Sequence, residues 1–259
     1  MKARAALLSA LALTVAACGS STKPVTLPDI QALSCPATAA TETSAPSSLP
    51  ALQQLARLER FPVRGRIVQP PGHGPAGAEP PIALDRTDTI ALGQQLRAAI
   101  AVACRLRTQP DAARAGYVLS STYNEGVGTH WTNWNLVNQP FDATKPSMLL
   151  FAPHDGTVQL VGFSYWVRTS DPDGPAGFTG SADHWHRHLG LCLDGQGTVQ
   201  REDVQTAREC AGTWLNGSDL WMLHAWIVPG AANGWGLFAP LNPALCSRTA
   251  PDIVRCPQP

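Results

Sequence analysis

Five of the seven histidines lie in three short segments that are rich in aromatic residues. The segments are residues 128–131 (GTHW), 183–188 (DHWHRH) and 221–226 (WMLHAW). Neutral imidazole nitrogens are good ligands for zinc, copper, iron and nickel. A transition-metal site is therefore the chemistry that these residues could support, provided that the fold brings the three segments together.

The middle segment has histidines at every second position. In a β-strand, side chains alternate between the two faces, so His184, His186 and His188 would share one face. We predict a strand over residues 184–193, because its other face is then apolar except at Arg187. That apolar face would carry Trp185, Leu189, Leu191 and Leu193. A helix would separate His186 from the other two histidines.

Two imidazoles at positions i and i+2 of a strand can both reach one metal ion. The further ligands are predicted to be His130 and His224, since each lies among tryptophans that would exclude water. The predicted metal ligands are thus His130, His186, His188 and His224, and the predicted ion is copper or zinc. Met222 would share a strand face with His224, where it is either a soft ligand for copper or a packing residue.

Other interpretations of the histidines stay open. A single buried histidine is more often a hydrogen-bonded core residue than a ligand, so the chain could be a structural or non-metal binding module. A metal-dependent envelope enzyme would need an open coordination position and a nearby acid or base, such as Glu125 or Asp183. If the protein is not such an enzyme, Glu125 would be a turn residue. Asp183 would then either orient a ligating imidazole or cap a turn. His73 and His154 are predicted to be exposed.

The elements that must position these residues change in type along the chain. Helices are predicted over residues 51–60, over residues 85–106 with an apolar stripe, and from Pro110 to Gly116. Strands are predicted at 147–153 and 159–168, joined by a turn at Asp155-Gly156, and at 220–228. The chain is therefore predicted to be an α+β protein, with N-terminal helices followed by a mainly antiparallel β-sheet or half-barrel.

The N-terminus is typical of an exported lipoprotein. Lys2 and Arg4 precede an apolar run, residues 5–17, that is too short to span a bilayer. The run ends in Val-Ala-Ala-Cys, which resembles a lipobox. We expect residues 1–17 to be removed, Cys18 to be diacylated, residues 18–50 to form a flexible tether and residues 51–259 to form one domain. The protein would be anchored to the extracytoplasmic side of the cell membrane by its lipid.

The remaining cysteines and the charge agree with such a location. Six cysteines follow Cys18 and can form three disulfides in an oxidising compartment. Six cysteines allow fifteen pairings, but the short loops favour Cys192–Cys210 and Cys246–Cys256, which leaves Cys35–Cys104. Without residues 1–17 the chain has 17 basic and 19 acidic residues, and no basic run. Nucleic acid is therefore not an expected partner.

Two family resemblances accompany these patterns. Gly180, five intervening residues and His186-Arg187-His188 are similar to the first half of a cupin metal motif. The glutamate of that motif would fall at Cys192 or Leu193, and no later segment fits the second half. A cupin-like enzyme is therefore only an alternative.

A longer part of the chain, about residues 110–246, resembles a family of secreted bacterial proteins that is common in actinobacteria. The resemblance rests on DAARAGY, GTHWTNW, LLFAPHDGTVQLVGFSYWV, DHWHRHLGLCL, WMLHAWIVPG and GLFAPLNPALC, in that order. It implies an extracytoplasmic domain with histidine motifs, and it places presumed site positions at His130, His186, His188 and His224. It implies no particular reaction, so the sequence leaves open whether the protein is an enzyme.

Overall fold

The computed structural model describes residues 34–35, 44–58, 84–180, 183–250 and 253–256. Three helices come first: α1 (Leu49–Leu55), α2 (Arg86–Ala103) and α3 (Gln109–Arg114). Antiparallel strands make up most of the regular structure that follows. The predicted α+β class is therefore confirmed. Cys18 and His73 lie outside the described residues.

The helices begin at the capping residues that the sequence supplies. Asp85 Oδ1 accepts a hydrogen bond of 2.8 Å from the backbone N–H of Asp88 at the start of α2. The predicted stripe of α2 is confirmed as buried, at Leu92, Leu96 and Ala99. α1 begins at Leu49, before the predicted residue 51, because Pro50 fits the first turn of a helix, where a missing N–H has no cost; it ends at Leu55, before the predicted residue 60.

Within the residues that the structure describes, ten strands form three antiparallel sheets. The five-stranded sheet has the order β1-β2-β3-β4-β8, the three-stranded sheet β6-β5-β7, and the last two strands pair with each other. The strands are β1 (Val118–Leu119), β2 (Thr129–Thr132), β3 (Met148–His154), β4 (Thr157–Arg168), β5 (Gly190–Leu193), β6 (Val199–Arg201), β7 (Thr213–Asn216), β8 (Leu220–Ala225), β9 (Ser247–Ala250) and β10 (Ile253–Arg255).

The hairpin between β3 and β4 has the predicted turn. Asp155 and Gly156 both have positive φ, 48° and 77°. This is the backbone conformation of a type I′ turn, for which Asp-Gly is a favoured pair. The register that follows from the turn pairs Leu149 with Phe163 and Met148 with Ser164.

The two faces of the five-stranded sheet differ in chemistry. One face, here called the apolar face, carries Leu149, Phe163, Tyr165 and Leu223, which belong to the same buried cluster as the inner side of α2. The opposite face, here called the histidine face, carries His130 from β2, Met148 from β3, Ser164 and Trp166 from β4, and Met222 and His224 from β8. Part of the histidine face packs against apolar residues of β5 and β7.

The predicted strand over residues 184–193 is correct only in its last part. Only Gly190–Leu193 forms a strand, and it pairs with β6 and β7. His186 instead makes a single antiparallel bridge with Met222, at the edge of the five-stranded sheet. The segment cannot be one strand because it passes from one sheet to the other. Arg187 marks this crossing, since its guanidinium lies 4.4 Å from the centre of the Trp221 ring.

The three predicted disulfides are confirmed. Cys35 pairs with Cys104, Cys192 with Cys210, and Cys246 with Cys256. The first of them ties the segment before α1 to the end of α2. In the described ranges, no helix is both long enough and apolar enough to cross a bilayer.

Candidate metal centre

The fold brings the four predicted histidines of the three segments into one buried cluster. The ring centroids are 6.0 Å apart for His130 and His224, 5.1 Å for His186 and His224, and 5.6 Å for His186 and His188. All four side chains are buried, and His224 is completely inaccessible. The cluster is thus a continuous row of imidazoles in the order 130, 224, 186, 188.

The first two rings approach each other across β3 and β4, where β4 carries small residues. β2 and β8 are separated by two strands, so His130 and His224 start from backbones about 14 Å apart if the sheet is flat. Between them on the histidine face, β4 presents only Gly162 and Ser164. A Cβ atom at Gly162 would lie 2.9 Å from the Trp226 ring, which excludes a larger residue there. The Trp226 ring and Leu150 therefore fill the space above Gly162, and Ser164 is the small residue of β4 that pairs with His224.

The backbone bridge at His186 adds the second pair of histidines. The N–H of His186 donates to the carbonyl of Met222 at 2.9 Å, and the N–H of Met222 donates back at 2.7 Å. Residues paired in this way project their side chains to the same face. His186 consequently lies on the histidine face beside His224, and His188 follows two residues later.

In each of the four imidazoles, the Nδ1 atom faces an oxygen atom. Nδ1 of His224 donates to the carbonyl of Pro240 at 2.7 Å, and Nδ1 of His186 lies 3.5 Å from the carbonyl of His184. Because a carbonyl only accepts, these two rings carry their proton on Nδ1, and their metal-binding lone pair is then on Nε2.

The other two rings have polar side chains at Nδ1. Ser121 Oγ lies 3.0 Å from Nδ1 of His130, and its own hydroxyl donates to the carbonyl of Thr122 at 2.9 Å. Glu202 Oε2 lies 3.5 Å from Nδ1 of His188. A carbonyl, hydroxyl or carboxylate at one ring nitrogen is the usual means of orienting a histidine that ligates a metal through the other nitrogen.

The environment keeps His224 neutral. Its complete burial, together with the neighbouring His130, lowers the pKa of His224 to about 3. Burial also lowers the pKa of His184. A neutral imidazole is the form that binds metal ions, so this cluster can ligate a metal without first releasing a proton from His224.

A small cavity of about 30 Å³, roughly the room that one water molecule occupies, adjoins the row of histidines and is partly open to solvent. The wall of the cavity is mostly apolar. His130 and His188 are part of it, and Glu202 lies on it at a more exposed position. The residues that line it are Ser120, Ser121, His130, Thr132, Trp134, Met148, Trp166, His188, Leu191, Val199, Glu202 and Met222. A water molecule or a ligand of similar size could therefore reach the cluster from this side.

Ser164 lies in the same row of the sheet as His224 and Met148. Its side chain is completely buried, and its hydroxyl has no hydrogen-bond partner among the described residues. A buried polar group without a partner costs about 1–3 kcal/mol. Such a group on the histidine face is a further feature that a bound ligand would satisfy.

Several predicted residues occupy other places. Glu125 lies in the turn between Asn124 and Gly128, and Asp183 packs against Gly177, so neither lines the cavity. The carboxylate at the cavity is Glu202, which the sequence did not indicate. Ser121 and the Pro240 carbonyl were also missed, because nothing in their local sequence shows that they will meet a histidine. His154 ends β3 at the hairpin, away from the cluster.

Two negative findings complete the description. Within the part of the chain that the structure describes, no group of three or more His, Cys, Asp and Glu side chains already has a geometry that could hold a metal ion. Comparison of the chain with protein-family models, with curated proteins and with solved structures gave no match.

Proposed function

We propose that this protein is a transition-metal-binding lipoprotein of the cell envelope, which handles or senses copper or zinc. The observation that carries the proposal is the common orientation of His130, His186, His188 and His224. All four are buried in one row, and each has an oxygen at Nδ1. An isolated core histidine has no other imidazole beside it, whereas here four imidazoles from three separate segments form one row, with neighbouring ring centroids 5.1–6.0 Å apart.

The separations of the rings support a shared ion. Two imidazoles that ligate one tetrahedral ion at about 2.0–2.1 Å have ring centroids roughly 5 Å apart. The central pair, His186 and His224, is at 5.1 Å, and the outer neighbours are at 5.6 Å and 6.0 Å. An ion would therefore bind between the central rings and draw His130 and His188 inward.

The test is the metal content of a variant that lacks half of the site. The full-length exported chain, purified without a histidine tag, should bind about one copper or zinc ion, as measured by elemental analysis after loading and desalting. The double variant His186→Gln/His188→Gln should bind less than about a tenth of that amount. His154→Gln, at the hairpin, is the matched control and should bind like the parent chain. A folded double variant with unchanged stoichiometry would reject the proposal.

A metal-dependent enzyme is the second candidate, and the cavity beside His130 and His188 favours it. An enzyme needs an open coordination position that a substrate can reach, and Glu202 would be the nearby acid or base. Azide added to the Cu(II)-loaded protein should then bind the metal and add a charge-transfer absorption band. An unchanged spectrum would indicate a closed site and favour metal handling or sensing.

Anchoring by a lipid at Cys18 is part of the same proposal. The three disulfides support an oxidising compartment, in which such bonds persist. A Cys18→Ser variant should lose its acyl chains and move from the membrane fraction to the soluble extracytoplasmic fraction. Equal membrane retention of parent and variant would contradict the lipid anchor.

A further inference from the structure

The methionines of this chain are concentrated at the histidine cluster. The chain has three methionines, and two of them, Met148 and Met222, come after the predicted leader. Both are buried, and both line the cavity that also includes His130 and His188. If they served only for packing, nothing would require them to occupy the same wall as the imidazoles.

The sheet places both thioethers on the histidine face that also carries His224. Met222 precedes His224 by two residues on β8, so both side chains are on the histidine face, and Met222 is also the bridge partner of His186. Met148 lies in the cross-strand row that runs through Ser164 to His224. Two methionines from different strands thus border the row of imidazoles.

The charge of the site argues for a monovalent ion. Imidazole and thioether ligands are neutral, and Glu202, whose side chain is 44% exposed, is the one carboxylate among the described residues of the cavity wall. The cost of burying an ion rises with the square of its charge, so a monovalent ion costs about a quarter as much as a divalent one. Zinc would be buried here with little compensation.

We propose that the site is selective for Cu(I), with Met148 and Met222 as thioether ligands beside the histidines. Soft sulfur ligands favour Cu(I), whereas zinc prefers imidazole, thiolate and carboxylate. This inference rests on the proposed metal-binding function and adds to it the oxidation state of the metal and two further ligands. It assigns the methionines a role in selectivity, with the histidines holding either ion.

The test compares two ions in matched variants of the full-length chain. Cu(I) affinity is measured under anaerobic, reducing conditions by competition with bicinchoninate, and Zn(II) affinity by competition with a chromogenic zinc chelator. Met148→Leu/Met222→Leu conserves side-chain volume and should weaken Cu(I) binding at least about tenfold while changing Zn(II) binding less than about twofold. Leu223→Met, on the apolar face, is the control and should change neither affinity.

Selenomethionine provides a readout that does not depend on a variant. In protein with selenium at both positions, X-ray absorption of bound copper should show a selenium neighbour. Unchanged Cu(I) affinity in the methionine variant, an equal loss for both ions, or copper with nitrogen neighbours alone would each overturn the inference. If one of these outcomes is found while the His186→Gln/His188→Gln variant still loses metal, the Cu(I) inference fails and the proposed metal-binding function survives. If the parent chain binds neither ion, both proposals fail.

Discussion

The two faces of the five-stranded sheet are built on the same strands and are buried to similar depths, yet they differ in what they bury. On β4, Phe163 and Tyr165 enter the apolar face, and Ser164 between them enters the histidine face; all three are at most 2% exposed. The apolar face is satisfied by contact, except for the Tyr165 hydroxyl, which donates to the carbonyl of Ala143 at 2.8 Å. The histidine face buries imidazoles and a hydroxyl, which need specific partners. Under the proposed function, the apolar face stabilises the fold and the histidine face binds the metal.

Substitutions on the two faces should therefore have opposite signatures. A change on the apolar face should lower stability and leave metal binding per folded molecule intact. A change on the histidine face should mainly lower metal affinity and have the smaller effect on stability. The experiments below test this contrast, in order of decreasing effect on free energy.

Phe163→Ala should have the largest effect on stability. It removes a completely buried aromatic ring from the apolar face, so the free energy of unfolding should fall by about 3–5 kcal/mol in chemical denaturation. The metal stoichiometry of the folded fraction should stay the same. If the stoichiometry fell in proportion to the stability, the two faces would not be separable.

Acid should destabilise the metal-free protein through His224. Because the folded-state pKa is about 3 and the ordinary value is 6.5, the unfolded chain binds the extra proton between these values. Stability from this residue is complete above pH 6.5 and is lost as the pH falls toward 3. The loss should be about 2 kcal/mol between pH 6.5 and pH 5, measured by denaturation at each pH. His224→Asn should reduce the slope of the unfolding free energy against pH in this range. The same slope in the variant and the parent chain would show that His224 is not buried as a neutral ring.

Ser121→Ala should weaken metal binding and also lower stability by about 1–3 kcal/mol, because Ser121 Oγ also accepts a hydrogen bond of 2.9 Å from the backbone N–H of His130. It removes the oxygen that orients Nδ1 of His130, and the loss of such an orienting group typically reduces metal affinity by about 10–100-fold. The affinity can be measured by competition with a chelator, with thermal unfolding as the check on folding. Ser47→Ala, near the start of α1, is a control of the same kind. Equal affinities for Ser121→Ala and the parent chain would mean that His130 is not a ligand.

Ser164→Ala should have the smallest effect. Its hydroxyl has no hydrogen-bond partner among the described residues, so removing it should leave the metal-free protein equally stable or up to about 1 kcal/mol more stable. Denaturation curves with and without metal measure this difference. A clear loss of stability without metal would show that the hydroxyl is needed by the fold itself.

Much of the fold was predictable because its signals are local. The N-cap of α2, the Asp-Gly turn of the β3–β4 hairpin and the alternation on β8 each depend on a few neighbouring residues. The four clustered histidines were also predicted, although part of the argument was wrong. His186 and His188 come together where the chain passes between two sheets, and no single strand holds them as predicted.

The rest of the candidate site depends on contacts between distant parts of the chain. Glu202 reaches His188 from the loop after β6, and the Pro240 carbonyl reaches His224 from 16 residues away. Met148 joins the site because the hairpin register places it opposite Ser164. Composition and spacing along the chain cannot show such partners, since they are fixed only when the sheets pack.

Elemental analysis of the exported full-length chain, purified without a histidine tag, tests the central claim most directly. The account predicts about one tightly held copper or zinc ion per chain, retained after desalting and lost when His186 and His188 are replaced together. A folded parent chain that retains neither copper nor zinc, even after loading with each, would contradict it. The histidine face would then be a polar core and not a metal centre.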